Sequence, residues 1–103
     1  MDLGDNSFEV QPECSSSFSS LQELLMDNND LEVFSGAGLK KLEHLDLSYN
    51  NLKSIGKDIG QCSGMTLLNL GWNYLETLPE SIGNFTHLEV RSLFILIDPP
   101  SLF

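Results

Sequence analysis

Two rhythms of hydrophobic and polar positions alternate along this chain. In stretches such as Leu45-Asp46-Leu47 and Leu68-Asn69-Leu70, apolar residues alternate with polar ones. A period of two predicts a short strand with one buried face. Between these stretches the apolar positions recur about every third residue, as in Leu75, Leu78, Ile82, Phe85 and Leu88. That spacing predicts tight 3-10 turns or an extended arc in place of a full α-helix.

The two rhythms combine into a repeat. Leu42-x-x-Leu45-x-Leu47-x-x-Asn50-x-Leu52 recurs as Met65-x-x-Leu68-x-Leu70-x-x-Asn73-x-Leu75 and as Leu21-x-x-Leu24-x-Met26-x-x-Asn29-x-Leu31. The asparagines stand 21 and 23 residues apart, within the range of leucine-rich repeats. The expected fold is therefore an α/β leucine-rich repeat solenoid. Short parallel strands would line the concave side, with irregular or 3-10 turns on the convex side. Residues 1–20 fit the same frame: Asn6 precedes Asn29 by 23, Leu3 and Phe8 flank it, and Pro12 and Phe18 match Pro79 and Phe85. The expected units are an incomplete repeat at 1–20, repeats at 21–41, 42–64 and 65–87, and a degenerate repeat opening at Leu88. There Arg91 takes a core leucine position and Leu96 replaces the asparagine; sliding the frame by two brings Asp98 to that place instead. The tail 91–103 reads equally as a degraded repeat or as foreign sequence, and the whole as part of a longer array.

The asparagine falls where the chain leaves the strand and turns into the core. Its side-chain amide can satisfy turn backbone groups that would otherwise be buried unpaired. Asn6, Asn29, Asn50 and Asn73 are thus expected to form a structural column, not a set of catalytic amides. Cys62 shares its repeat position with Phe85 and reads as a small core hydrophobe. Cys14 sits at a different position two repeats away, too far for a disulfide.

The remaining strand positions form the surface on which solenoids usually bind partners. Asp27 and Asn28, then His44, Asp46, Ser48 and Tyr49, then Asn69, Gly71 and Trp72 are read there. Tyr49 and Trp72 share one repeat position, so they should be neighbours at about one strand spacing, ~5 Å. Exposed Trp and Tyr are favoured interface anchors, which makes this acidic-aromatic face the expected site of a protein partner. The bland alternative is two aromatics packed on each other with no partner.

Charge and chemistry narrow the function further. With 15 acidic and 5 basic residues the formal charge is −10, which argues against nucleic acid and anionic lipid as partners. No apolar run approaches the ~20 residues of a spanning helix, and the N-terminus has no signal-peptide pattern. Two cysteines without a CxxC pair suit a reducing, cytoplasmic setting. His44 near Asp46 has no nucleophile placed beside it and reads as a solvated histidine, so no catalytic residue is assigned. No spacing supports a metal or cofactor site. Asn84-Phe85-Thr86 is a glycosylation sequon, of consequence only in a secreted chain.

The repeat style, with LETLPESIG at 75–83, resembles the cytoplasmic class shared by Ras-pathway scaffolds and LAP proteins. MDLGDNSFEV (1–10), LLMDNNDL (24–31), LDLSYNNL (45–52) and IGQC (59–62) fall in order through successive repeats and resemble the LAP group, the Scribble, Erbin, Densin and Lano polarity scaffolds, its Erbin-like members most closely. The resemblance spans about residues 1–90. It implies a scaffold peripheral to the plasma membrane at cell junctions, with the repeats aiding localisation. No PDZ domain or lipidated cap of that group is present in this sequence. Three readings stay open: an interaction module of a scaffold; a regulatory segment of a signalling protein or enzyme, such as a Ras-pathway scaffold, cyclase or phosphatase; and a truncated product without a role of its own. Because the first repeat lacks its opening positions, the strand edge it offers also invites self-association.

Overall fold

The computed structural model describes residues 1–9 and 19–85. Pro12, Cys14, Phe18, Thr86 of the sequon, and the degenerate repeat from Leu88 with the tail 91–103 lie outside the described residues.

Three short strands, β1 (Glu23–Leu25), β2 (His44–Asp46) and β3 (Leu67–Asn69), form one parallel sheet in the order β1-β2-β3. Their register pairs Leu24 with Leu45 and Leu45 with Leu68, so the inward leucines stack in a column. Asp2 bridges to Leu25 in the same parallel sense and carries the sheet one repeat further. Each strand has only three residues because the turn at the asparagine follows at once. Parallel pairing continues past the strand ends, through bonds such as Met26 N–H to Asp46 O at 2.8 Å and Leu47 N–H to Asn69 O at 2.9 Å.

On the convex side the 3-10 turns Lys57–Gln61 and Glu80–Asn84 pack against each other. Here the three-residue apolar spacing is also the hydrogen-bond spacing. Ile59 N–H donates to Gly56 O, Cys62 N–H to Ile59 O and Met65 N–H to Cys62 O, each at 3.0–3.1 Å. In the next repeat Ile82 donates to Pro79 and Phe85 to Ile82, at 3.2 Å. Every third residue thus turns inward and closes a tight turn with the same step.

The core lies between sheet and arc. Met26, Leu31, Leu45, Leu47, Leu52, Ile59, Met65, Leu68, Leu70 and Leu75 are completely buried, and Cys62 is buried with them, its Sγ 3.8 Å from the Gly36 carbonyl oxygen. Full burial of such a side chain is worth about 1.5–3 kcal/mol, so the leucine column supplies most of what holds adjacent repeats together. One contact leaves no room for a side chain. A Cβ on Gly36 would lie 2.9 Å from Ile59 Cα and 3.0 Å from Asp58 O, so this glycine lets the arc of one repeat approach the 3-10 turn of the next.

Candidate binding surface

The asparagines anchor the surface from beneath. Asn29, Asn50 and Asn73 are buried. Asn50 Nδ2 donates to Leu47 O and Ser48 O in its own turn at 3.0 and 3.2 Å, and to Met26 O of the preceding repeat at 2.9 Å. Its Oδ1 accepts the Leu31 N–H at 3.1 Å. Asn73 repeats this pattern with Leu70, Gly71, Leu47 and Leu52, and Asn29 with Met26, Asp27, Leu3 and Phe8. Each amide therefore closes its own turn and ties it to the preceding repeat. Asn6 makes the same own-turn bonds, to Leu3 O and Gly4 O at 3.0 and 2.9 Å, but is exposed.

The residue before each asparagine has a left-handed backbone: Asp5, Asn28, Tyr49 and Trp72 have φ of 54°, 57°, 57° and 58°. Three of their N–H groups donate to the following repeat: Asp5 to Asp27 O, Asn28 to Ser48 O and Tyr49 to Gly71 O, all at 3.0 Å. The fold thus demands this conformation at every turn. Asp and Asn accept it readily, whereas a side chain as bulky as Tyr or Trp is uncommon there. At this position the Tyr49 and Trp72 rings stack with centroids 5.4 Å apart and planes 8° from parallel. They stay 50% and 47% exposed, with Tyr74 beside them at 61%, around a shallow depression that Asn50 and Asn73 floor.

The other outward positions divide in two. Asp27, His44, Asp46 and Asn69 are half-buried and Asn28 is exposed. Ser48 and Gly71, expected on the open face, are instead buried. The reason is a turn made by the residue two places earlier. Asp46 Oδ1 accepts both the Ser48 N–H at 2.9 Å and its hydroxyl at 2.6 Å, and Asn69 Oδ1 accepts the Gly71 N–H at 3.0 Å. Asp2 does the same for Gly4. Asp46 and Asn69 therefore shape the turn as well as facing outward, a second role that an acid or amide two residues before the turn signals in the sequence. His44 pairs across the sheet with Glu23, Nδ1 to Oε2 at 3.0 Å, and not with Asp46. Their strand register places those two directly opposite each other. Among the described residues no group of three or more His, Cys, Asp or Glu is placed to hold a metal ion, and no helix is long and apolar enough to cross a membrane.

A parallel sheet of three-residue strands, an asparagine ladder and 3-10 arcs together define a leucine-rich repeat protein, with an α/β solenoid fold. The leucine-rich repeat family profile matches residues 32–75. A solved leucine-rich repeat protein of Leptospira interrogans superposes with a TM-score of 0.79 at 31% identity, over 98% of this chain and 26% of that one. A plant intracellular Ras-group-related leucine-rich repeat protein of rice, Oryza sativa subsp. japonica, is 35% identical over 87% of this chain and 25% of its own length. Toll-like receptor 10 of Bos taurus is 34% identical over 84% of this chain and 11% of its own length. Toll-like receptor 9 of Equus caballus is also 34% identical, over 82% of this chain and 9% of its own length. The chain thus spans a quarter or less of the length of these relatives.

Proposed function

We propose that this chain is a protein-interaction module that docks its partner at the stacked Tyr49 and Trp72. The observation that carries the reading is the cost of placing them there. A left-handed backbone costs a bulky residue about 1–2 kcal/mol, and an aromatic pair returns about 0.5–1.5 kcal/mol. Asp5 and Asn28, residue types that accept a left-handed backbone more readily, occupy the same position in the neighbouring repeats. Two aromatics left about half exposed at a backbone position that they disfavour suit a role in recognition. Asp27, Asn28, His44, Asp46 and Asn69 border this point and would supply polar contacts.

The finer reading is a scaffold segment of the LAP type, cytoplasmic and peripheral at the plasma membrane or cell junctions. The motifs at 1–10, 24–31, 45–52 and 59–62 support it, as does the similarity to the intracellular Ras-group-related protein of rice. A second reading, a recognition segment of a signalling receptor or enzyme, draws on the similarity to two Toll-like receptors. Both give the chain the same non-catalytic task. The test is retention of partners on immobilised wild-type chain, on Trp72→Ala and on Lys53→Glu, which changes an exposed charge away from the strand positions. The reading expects Trp72→Ala to weaken retention by about 2 kcal/mol, typical of an aromatic anchor, and the lysine variant to keep it. The reverse pattern places the interface elsewhere. Retention of the chain's own second copy, read by light scattering, would make strand-edge self-association the interaction instead.

A further inference from the structure

The open sheet face carries charge as well as aromatics. Asp2, Asp5, Glu23, Asp27, Glu43 and Asp46 occupy outward or turn positions along the strands, whereas Lys40, Lys41, Lys53 and Lys57 do not. The acids gather toward Asp5 and the aromatics toward Trp72. Two of the carboxylates crowd one point: a Cβ built on Gly4 would lie 2.7 Å from Asp27 Oδ1 and 3.3 Å from Asp2 Oδ1. Two carboxylates that flank one point repel each other, and a cation between them relieves that repulsion. Among the described residues the cations at this face are the Met1 ammonium, which donates to the Glu23 carbonyl oxygen at 3.0 Å, and His44 when protonated. Asp2 Oδ1 accepts the Gly4 N–H at 3.0 Å and Asp27 Oδ2 the Asn28 side-chain amide at 3.1 Å, neutral donors that leave the two carboxylate charges in place. The electron-rich ring faces of Tyr49 and Trp72 attract cations too, arginine above all.

Resting on the reading of Tyr49 and Trp72 as the docking point, we infer that the partner presents a cationic, arginine-containing segment in extended form. That segment crosses the strands from the Asp2/Asp27 pair to the aromatic stack. The span fits. From the repeat of Gly4 to that of Trp72 are three strand spacings, about 14 Å, which an extended peptide at ~3.3 Å per residue covers in about four residues. Arginine at the acid end would take up the two carboxylates in bidentate fashion, and the segment's other end would lie on the rings.

Trp72 is the single tryptophan of the chain, so its emission reports directly on this site. The probes are hexa-arginine with blocked ends, hexa-citrulline of the same shape without charge, and hexa-glutamate. Hexa-arginine should shift Trp72 emission saturably, while the other two leave it unchanged. Raising NaCl from about 50 to about 300 mM should weaken binding at least about fivefold, as screening shortens the reach of the carboxylates. Asp27→Asn should weaken it about threefold or more and Glu80→Gln, on the convex arc, should not. Asp5→Asn is the second variant should Asp27→Asn disturb the fold by circular dichroism. Equal losses in the on-face and convex variants, equal binding of hexa-citrulline, or hexa-arginine titration without any emission change overturns the inference. A shift produced by citrulline or glutamate peptide alone rejects the cationic partner but keeps the aromatic docking point, so the two readings fail separately.

Discussion

Two columns run side by side up the same flank of the solenoid, the asparagines and the residues just before them, and they treat sequence in opposite ways. Every turn repeats one backbone, with φ between 54° and 58° before the asparagine. Asparagine recurs in the four described turns, and at Asn29, Asn50 and Asn73 its amide meets the carbonyls of two repeats and one N–H at once, whereas the exposed Asn6 meets only the carbonyls of its own turn. No other side chain offers two donors and an acceptor at that reach. The residue before it, under an equally strict backbone demand, is Asp, Asn, Tyr and Trp in succession. Buried hydrogen bonding leaves no choice; exposure leaves the choice to whatever the surface meets. Stability is thus written in one column and, on the function proposed above, recognition in the other.

The comparison breaks first at Asn50. Replacing it with Ala leaves the Leu31 N–H and the Met26 and Leu47 carbonyls without this buried partner, and should cost about 3 kcal/mol in a urea melt. A loss below about 1 kcal/mol would falsify the assignment of the column to stability. The next largest effect belongs to the neighbouring column. Trp72→Ala should cost about 2 kcal/mol of partner binding while the far-UV circular dichroism spectrum is kept. The smallest effect sharpens the role of burial. Asn6 makes the same own-turn bonds as Asn50 but in water, so Asn6→Ala should cost only about 0.5 kcal/mol by the same melt. Equal effects at Asn6 and Asn50 would mean that local turn geometry, and not desolvation, sets the value of the amide.

Much of this was legible beforehand, for physical reasons. The strands, the asparagine column, the 3-10 arcs and the adjacency of Tyr49 and Trp72 all follow from a repeat whose positions recur in register, so one turn predicts the rest. Cys62 could be placed in the core because it shares a position with Phe85. What the spacing did not carry was side-chain business between neighbours. Ser48 and Gly71 look outward by alternation, yet the strand has already ended and the Asp46 and Asn69 turns fold them in. His44 lies closer in sequence to Asp46 than to Glu23, but parallel register brings Glu23 opposite it. The left-handed backbone at Tyr49 was hidden because aromatic residues do not announce it as glycine or asparagine does.

The central claim is that the Tyr49–Trp72 pair serves recognition and is not needed to hold the repeats together. The most direct measurement is urea unfolding, followed by far-UV circular dichroism, of the double variant Tyr49→Asn/Trp72→Asn, which installs the residue that Asn28 already shows the turn accepts. Backbone relief of about 1–2 kcal/mol per site should offset the lost stack and ring burial, leaving stability within about 1 kcal/mol of the parent chain. A loss as large as that of Asn50→Ala would contradict the account, because the aromatics would then be part of what keeps the solenoid folded.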